Sequence, residues 1–257
     1  MAEALRRDFT LKIYRELLDA FIAKGYTIYT YENYLKLKPL DYYIVLRHDI
    51  DKSPQNALKM AMLENKIGVK STYYFRILKC SNNPSIIKKI VELGHEIGYH
   101  YEDLTIANGN VDKAIKYFKT NLEYFRKYYD VKTIVYHGSP ITKWANEDIW
   151  KEFDYKDYGI LGEPFLDVDF NENFYLTDTG RSWNALKYSV RDKVNQRNHH
   201  YYNNTSDIIY SIKDGSFPRK VFLNIHSQRW HKMFFPWVWE LIFQNIKNQI
   251  KRIIFVK

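Results

Sequence analysis

Cysteine is nearly absent from this chain: Cys80 is the only one among 257 residues. No intramolecular disulfide can form, and a metal site built from several thiolates is excluded. A lone thiol suits a reducing compartment, so a cytoplasmic protein is expected. Glycine is also sparse, with ten residues. No glycine-rich loop follows the first strong strand, which removes the phosphate-cradling motifs. Long apolar runs are missing too. No stretch of 18 apolar residues occurs, so no spanning helix is expected, and the N-terminus lacks the apolar core of a secretion signal. The net charge is +9, yet Lys and Arg are spread along the chain without a dense basic run. Nucleic acid is therefore not an expected partner.

Aromatic residues are abundant: 23 Tyr, 15 Phe and 6 Trp. Such residues fill cores and also line ring-binding clefts, and composition alone leaves both open. The apolar periodicity predicts a helix over 8–23, ended by Gly25. A buried strand is predicted over Tyr42–Leu46. Ser53-Pro54 then opens a helix, with Ser53 as N-cap and proline in the first turn. Further strands are predicted at Thr72–Ile77, Glu96–His100, Val131–Tyr136, Tyr158–Leu161, Phe174–Thr177 and Val221–Ile225. Helices are predicted at Ser85–Leu93, Val111–Phe125 and about Trp237–Ile246. Strands alternating with helices imply a mainly parallel sheet. The number of units and the length favour a closed or nearly closed α/β barrel in one domain, residues 1–257, with a loop-rich excursion at about 190–219.

The chemistry collects where strands end. Leu46-Arg47-His48-Asp49-Ile50-Asp51 delivers one imidazole and two carboxylates in four residues. Asp49 and Asp51 are two apart, so an extended chain sends both to one face and His48 to the other. His48, His100, His137 and His226 all stand at or just past the C-terminal ends of predicted strands, where barrel enzymes build their sites. Asp49, Asp51, Glu102 and Asp103 accompany them. His/Asp clusters without cysteine suit zinc or another divalent first-row ion. Such an ion lowers the pKa of a bound water from ~15.7 to about 7, and a nearby carboxylate can take up the proton.

These motifs resemble those of the NodB-like polysaccharide deacetylases, carbohydrate esterase family four, in the branch that writes its first motif as Asp-x-Asp. The resemblance implies a distorted (β/α)7 barrel and metal-dependent removal of acetyl groups from glycans. It likens Asp49 to the general base and Asp51 to a metal ligand. Gly94-His95-Glu96-Ile97-Gly98-Tyr99-His100 is similar to the second motif and likens His100 to the first metal histidine. The family's next histidine comes four residues later, where this chain has Leu104. Glu102 is the expected third ligand, since it shares a side with His100 if the chain stays extended, and His137 is the alternative. Tyr136-His137-Gly138-Ser139-Pro140 sits where the family has a cleft-shaping Arg-Pro-Pro-Tyr segment, without the arginine. Asp178, Arg181 and Trp183 resemble the fourth motif. Leu223-Asn224-Ile225-His226 resembles the fifth, likening His226 to the residue that protonates the leaving group. His137, Asp178, Arg181, Trp183 and Trp230 are the expected substrate contacts, His95 is expected to be structural, and His199-His200 is expected at the surface.

The expected reaction is hydrolysis of an N- or O-acetyl group on a sugar, glycan or lipid-linked saccharide, with zinc as the cofactor. Two alternatives stand beside it: a silent carbohydrate-binding protein on the same barrel, suggested by Leu104, and a metal-dependent amidohydrolase of a small non-sugar amide. The tail from Met233 to Phe243 is strongly aromatic and basic residues follow. It reads as a last barrel helix with a closing strand at Ile253–Val256, or as a segment lying peripherally on an anionic membrane.

Overall fold

The computed structural model describes residues 7–138, 142–184, 194–196 and 200–254. Helix α1 (Leu11–Lys24) begins where the Thr10 side chain accepts from the Ile13 N–H and ends at Gly25, whose φ is 92°. Strand β1 (Thr27–Tyr29) and helix α2 (Tyr31–Leu37) follow. Neither was anticipated, because three and seven residues are too short to show a period. Strand β2 (Tyr43–Ile50) leads to α3 (Pro54–Lys66), β3 (Thr72–Phe75), α4 (Pro84–Glu92) and β4 (Glu96–Tyr101). The short helix α5 (Asp103–Ile106), the long α6 (Val111–Arg126), β5 (Ile134–Tyr136), α7 (Pro164–Asp167) and β6 (Phe174–Thr177) come next. Helix α8 (Thr205–Asp214), β7 (Lys220–Ile225) and α9 (Phe234–Ile254) complete the order.

The strands form one parallel sheet in the order β5-β4-β3-β2-β7-β6. β1 pairs the first half of β2 (Thr27 opposite Tyr43), on the side that β3 takes over from Arg47 onward. Among the described residues β5 and β6 do not pair. The curled sheet is therefore a barrel of distorted (β/α) type, left open between those two strands. Alternation along β2 explains the layers. Ile44, Leu46 and Ile50 face outward into two apolar clusters beneath the helices. Tyr43 and Val45 face inward, where they join Tyr31, Phe170, Tyr175 and Phe222 to plug the bottom of the barrel. Above that plug the interior is polar.

Several local expectations change. Ser53 precedes α3 but has φ 57° and makes no side-chain cap; Pro54 does stand in the first turn. Residues 158–161 are not a strand, because the 3-10 turn Tyr155–Tyr158 ends at Gly159 in the left-handed region (φ 72°). One bridge between Thr133 and Gly162 remains there. Part of the expected excursion is helix α8, capped by Asn204 and packed through Ile208 and Ile212 into the α1 cluster. Residues 185–193 and 197–199 lie outside the described residues. So do Ser139, Pro140 and 255–257, while Ile253 and Ile254 belong to α9 rather than to a closing strand.

Candidate metal centre

Strand β2 runs to Ile50, four residues past the apolar run, so Asp49 lies inside the sheet and Asp51 is the first residue beyond it. Arg47, Asp49 and Asp51 share the inward face. β4 brings His100 to the same level, and the next strand brings His137 just past its end, where its N–H bonds the Tyr101 carbonyl (2.8 Å). Asp51 Oδ1 lies 3.5 Å from His100 Nε2 and 3.6 Å from His137 Nε2. One donor atom from each of the three residues falls within 4.8 Å of the others. Ligands held at about 2.0–2.2 Å from a tetrahedral zinc are about 3.4 Å apart, so this spacing fits an ion.

The imidazoles are also oriented for it. His100 Nδ1–H donates to the Val135 carbonyl (3.1 Å), which leaves the Nε2 lone pair facing Asp51. His137 Nδ1 lies 3.4 Å from Glu102 Oε2. A carbonyl or carboxylate behind each histidine is the usual second layer of a metal site. Burial opposes ionisation of Asp51, but His100, His226 and His137 outweigh it and hold its carboxyl well below the usual range. Gln228 Nε2 donates to Asp51 Oδ2 (3.0 Å) and fixes the group further.

Glu102 does not take the third position. The strand ends at Tyr101, and Glu102 turns away as the residue before α5. Arg76 Nε and Nη2 bind its two oxygens at 2.7 and 2.6 Å. Burial raises its pKa, but His137 and Arg76 together bring it down to about 2. Leu104 lies in α5 and is buried in the outer apolar cluster. Asp103 also leaves the site: it accepts from the Tyr99 hydroxyl (2.8 Å), and burial lifts its pKa to about 7.

Asp49 is buried. Asn224 Nδ2 donates to its Oδ2 (2.8 Å) and Arg47 Nη2 lies 3.5 Å away, while its Oδ1 has no hydrogen-bond partner. Across the opening, His226 Nε2 lies 4.0 Å from Asp51 Oδ2. Its Nδ1–H donates to Asp178 Oδ1 (2.7 Å). Burial and Arg229 push the His226 pKa down, yet Asp178 and Asp51 prevail and raise it.

Four expected substrate contacts lie elsewhere. Asp178 is fully buried and holds His226 and the Trp230 indole N–H (2.8 Å). Trp230 and Trp183 are buried beside Phe9, and Trp183 Nε1 donates to Thr205 (2.9 Å). Arg181 stacks on Phe9 and Trp237. Aromatic mass in this segment serves the core, so the indoles offer no face to a ligand. His95 is buried and its Nε2 bonds the Ala61 carbonyl (3.0 Å), whereas His200 is exposed. Arg47, Arg76, Asn224 and Gln228 escaped the sequence reading. Arg47, Arg76 and Asn224 stand on or next to a strand two residues from Asp49, Tyr74 and His226, so strict alternation would have found them, whereas Gln228 lies in a 3-10 turn.

No family model matches the sequence, and no curated protein does. Thirteen solved chains match the structure. A CE4 esterase from Streptococcus mutans is 15% identical with a TM-score of 0.46, covering 90% of this chain and 90% of that one. A CE4 family pseudoenzyme from Bacillus anthracis is 11% identical with a TM-score of 0.44, covering 83% of this chain. A mutant of that type, described as having restored enzymatic activity, is 12% identical with a TM-score of 0.44. This chain spans 62% and 64% of the length of those two. Identities this low attach no role to any residue here.

Proposed function

We propose that this chain is a metal-dependent hydrolase that removes an acetyl group from a sugar or glycan. The observation that carries the reading is the convergence at one barrel mouth of an Asp51–His100–His137 donor set, a buried carboxylate with a free oxygen, and a carboxylate-backed histidine. Asp51, His100 and His137 would hold a divalent ion, zinc being the best fit to one oxygen and two nitrogens. When bound, such an ion supplies Lewis-acid polarisation and an acidified water.

The remaining steps belong to this chain's own side chains. Asp49 Oδ1 accepts a proton from the attacking water, whose oxygen forms the new bond to the acyl carbon. Asn224 and Arg47 hold Asp49 through its Oδ2 and leave Oδ1 for the proton. The acyl C–N or C–O bond then breaks, and His226 Nε2–H gives its proton to the departing sugar nitrogen or oxygen. Asp178 holds the His226 tautomer and favours its protonated form, the state that donates. Leu104 had suggested a silent protein; His137 offers a third donor from another strand and favours the active reading.

The test is acetate release by zinc- or cobalt-loaded protein from a panel of N- and O-acetylated sugars and oligosaccharides. Activity lost in both Asp49→Asn and His226→Ala, with the metal retained, is the expected result. No release from any member of the panel, with Asp49→Asn identical to wild type in every property, would overturn the proposal.

A further inference from the structure

Helix α9 is folded inside out. Its polar residues Glu240, Gln244 and Asn248, spaced by four, are the ones that turn into the protein; Glu240 is only 8% exposed and Asn248 5%. Asn248 Nδ2 donates to the Gly180 carbonyl (2.7 Å), and Glu240 meets Lys52 at 3.4 Å. Trp237, Val238 and Leu241 are half-buried, and most of the other apolar residues point to solvent. Phe235 is 82% exposed, Trp239 65% and Ile253 75%, and Ile242, Phe243, Ile246 and Ile250 fill the stripe between them. A helix packed on a soluble barrel normally shows the opposite arrangement. A continuous exposed apolar stripe of this size marks an interaction surface.

Charge indicates what covers it. Glu240 is the helix's only acid and it is turned inward. Lys232, two residues before the helix, and Lys247 within it are exposed, and the chain carries +9. An identical face from a second copy would offer no carboxylate to these lysines. An anionic bilayer surface offers both phosphates and acyl chains. Aromatic residues occupy the first half of the helix and isoleucines the second, a composition suited to the headgroup boundary. No helix among the described residues is long and apolar enough to cross a membrane.

We infer that α9 seats this protein on an anionic membrane surface, with its apolar stripe in the headgroup region and its basic flank on the phosphates. The helix packs on the segments that follow β2 and β6, through Lys52 and Gly180. It therefore sits at the end of the barrel that carries Asp51 and His226. Taken with the deacetylase reading, this favours a saccharide carried at a membrane surface as substrate.

Flotation of the full chain with vesicles tests the surface without using activity. Vesicles of phosphatidylcholine containing phosphatidylglycerol should carry the protein upward, at least about tenfold more than pure phosphatidylcholine, with the difference shrinking in high salt. The double variant Phe235→Glu/Trp239→Glu changes only exposed side chains and should stay at the bottom with unchanged thermal stability. Two results would overturn the inference: wild type that floats with neither vesicle, or wild type that is a dimer by light scattering while the double variant is a monomer. A failed acetate assay with intact flotation would count against the deacetylase reading alone.

Discussion

The two faces of β2 carry the same side-chain types in opposite states. Outward, His48 Nε2 lies 2.8 Å from Glu64, and Tyr14, Ser71 and Tyr73 donate to the same carboxylate at 2.5, 2.6 and 2.9 Å. Both Glu64 oxygens are occupied, and the residue is wholly buried. Inward, Asp51 faces His100, His137 and His226 at 3.5–4.0 Å, with 27% of its side chain open to solvent. The outer cluster spends its donors on its acceptor and is closed. The inner one presents two imidazole nitrogens and a carboxylate oxygen to a common point. A histidine beside an acid marks a site only when lone pairs converge on an accessible point.

The largest effect should come from breaking the inner cluster. Asp51→Asn or His100→Ala should lower zinc affinity by more than about a hundredfold, a loss beyond that typical of supporting residues, and abolish acetate release. Calorimetric titration with zinc checks this. Asp49→Asn should leave zinc binding intact and cut kcat by about 10²–10⁴, the usual worth of a general base. Glu102→Gln should weaken zinc binding by about 10–100-fold through His137.

Breaking the outer cluster should do the reverse. Glu64→Gln leaves buried hydroxyls and His48 mismatched, so a loss of about 3–5 kcal/mol is expected by urea unfolding, with zinc affinity unchanged. The pH dependence follows from sign. Burial raises the Glu64 pKa, but His48, His95 and Ser71 outweigh it and depress it to about 2, below the ordinary 4.5. Its contribution is therefore fully present above pH 4.5 and lost as pH falls toward 2. The Glu64→Gln variant should lack that portion of the acid transition.

A smaller effect concerns the barrel wall that both clusters share. Gly98 lies within β4, and a Cβ there would fall 2.2 Å from the Tyr74 ring. Tyr74 crosses the interior to donate to Thr133 Oγ1 (3.0 Å). Gly98→Ala should cost about 1–3 kcal/mol from overpacking, read as a lowered Tm, with Gly98→Val worse.

Much of this architecture was legible. Alternating strands and helices gave the parallel barrel, and period two separated Asp49 and Asp51 from His48. What sequence could not show was where the chain leaves a strand. Glu102 looked like a ligand on the assumption of extended chain, but the strand stops at Tyr101 and the acid turns to Arg76. His137 lies 37 residues beyond His100, so only strand pairing reveals their proximity. Trp183, through its resemblance to the fourth motif, and Trp230 were expected at the substrate, and residue type alone does not distinguish a buried indole from a cleft wall. The short α2 was hidden because seven residues show no period; α9 was expected as a helix, but its period alone does not say which face turns outward.

Anomalous diffraction at the zinc edge, on crystals soaked in zinc, would show whether Asp51, His100 and His137 bind one ion. The predicted result is one strong peak bonded to Asp51, His100 and His137, absent in His137→Ala and unaffected by Glu64→Gln. No peak at that point, or a peak ligated by Glu102 in place of His137, would contradict it.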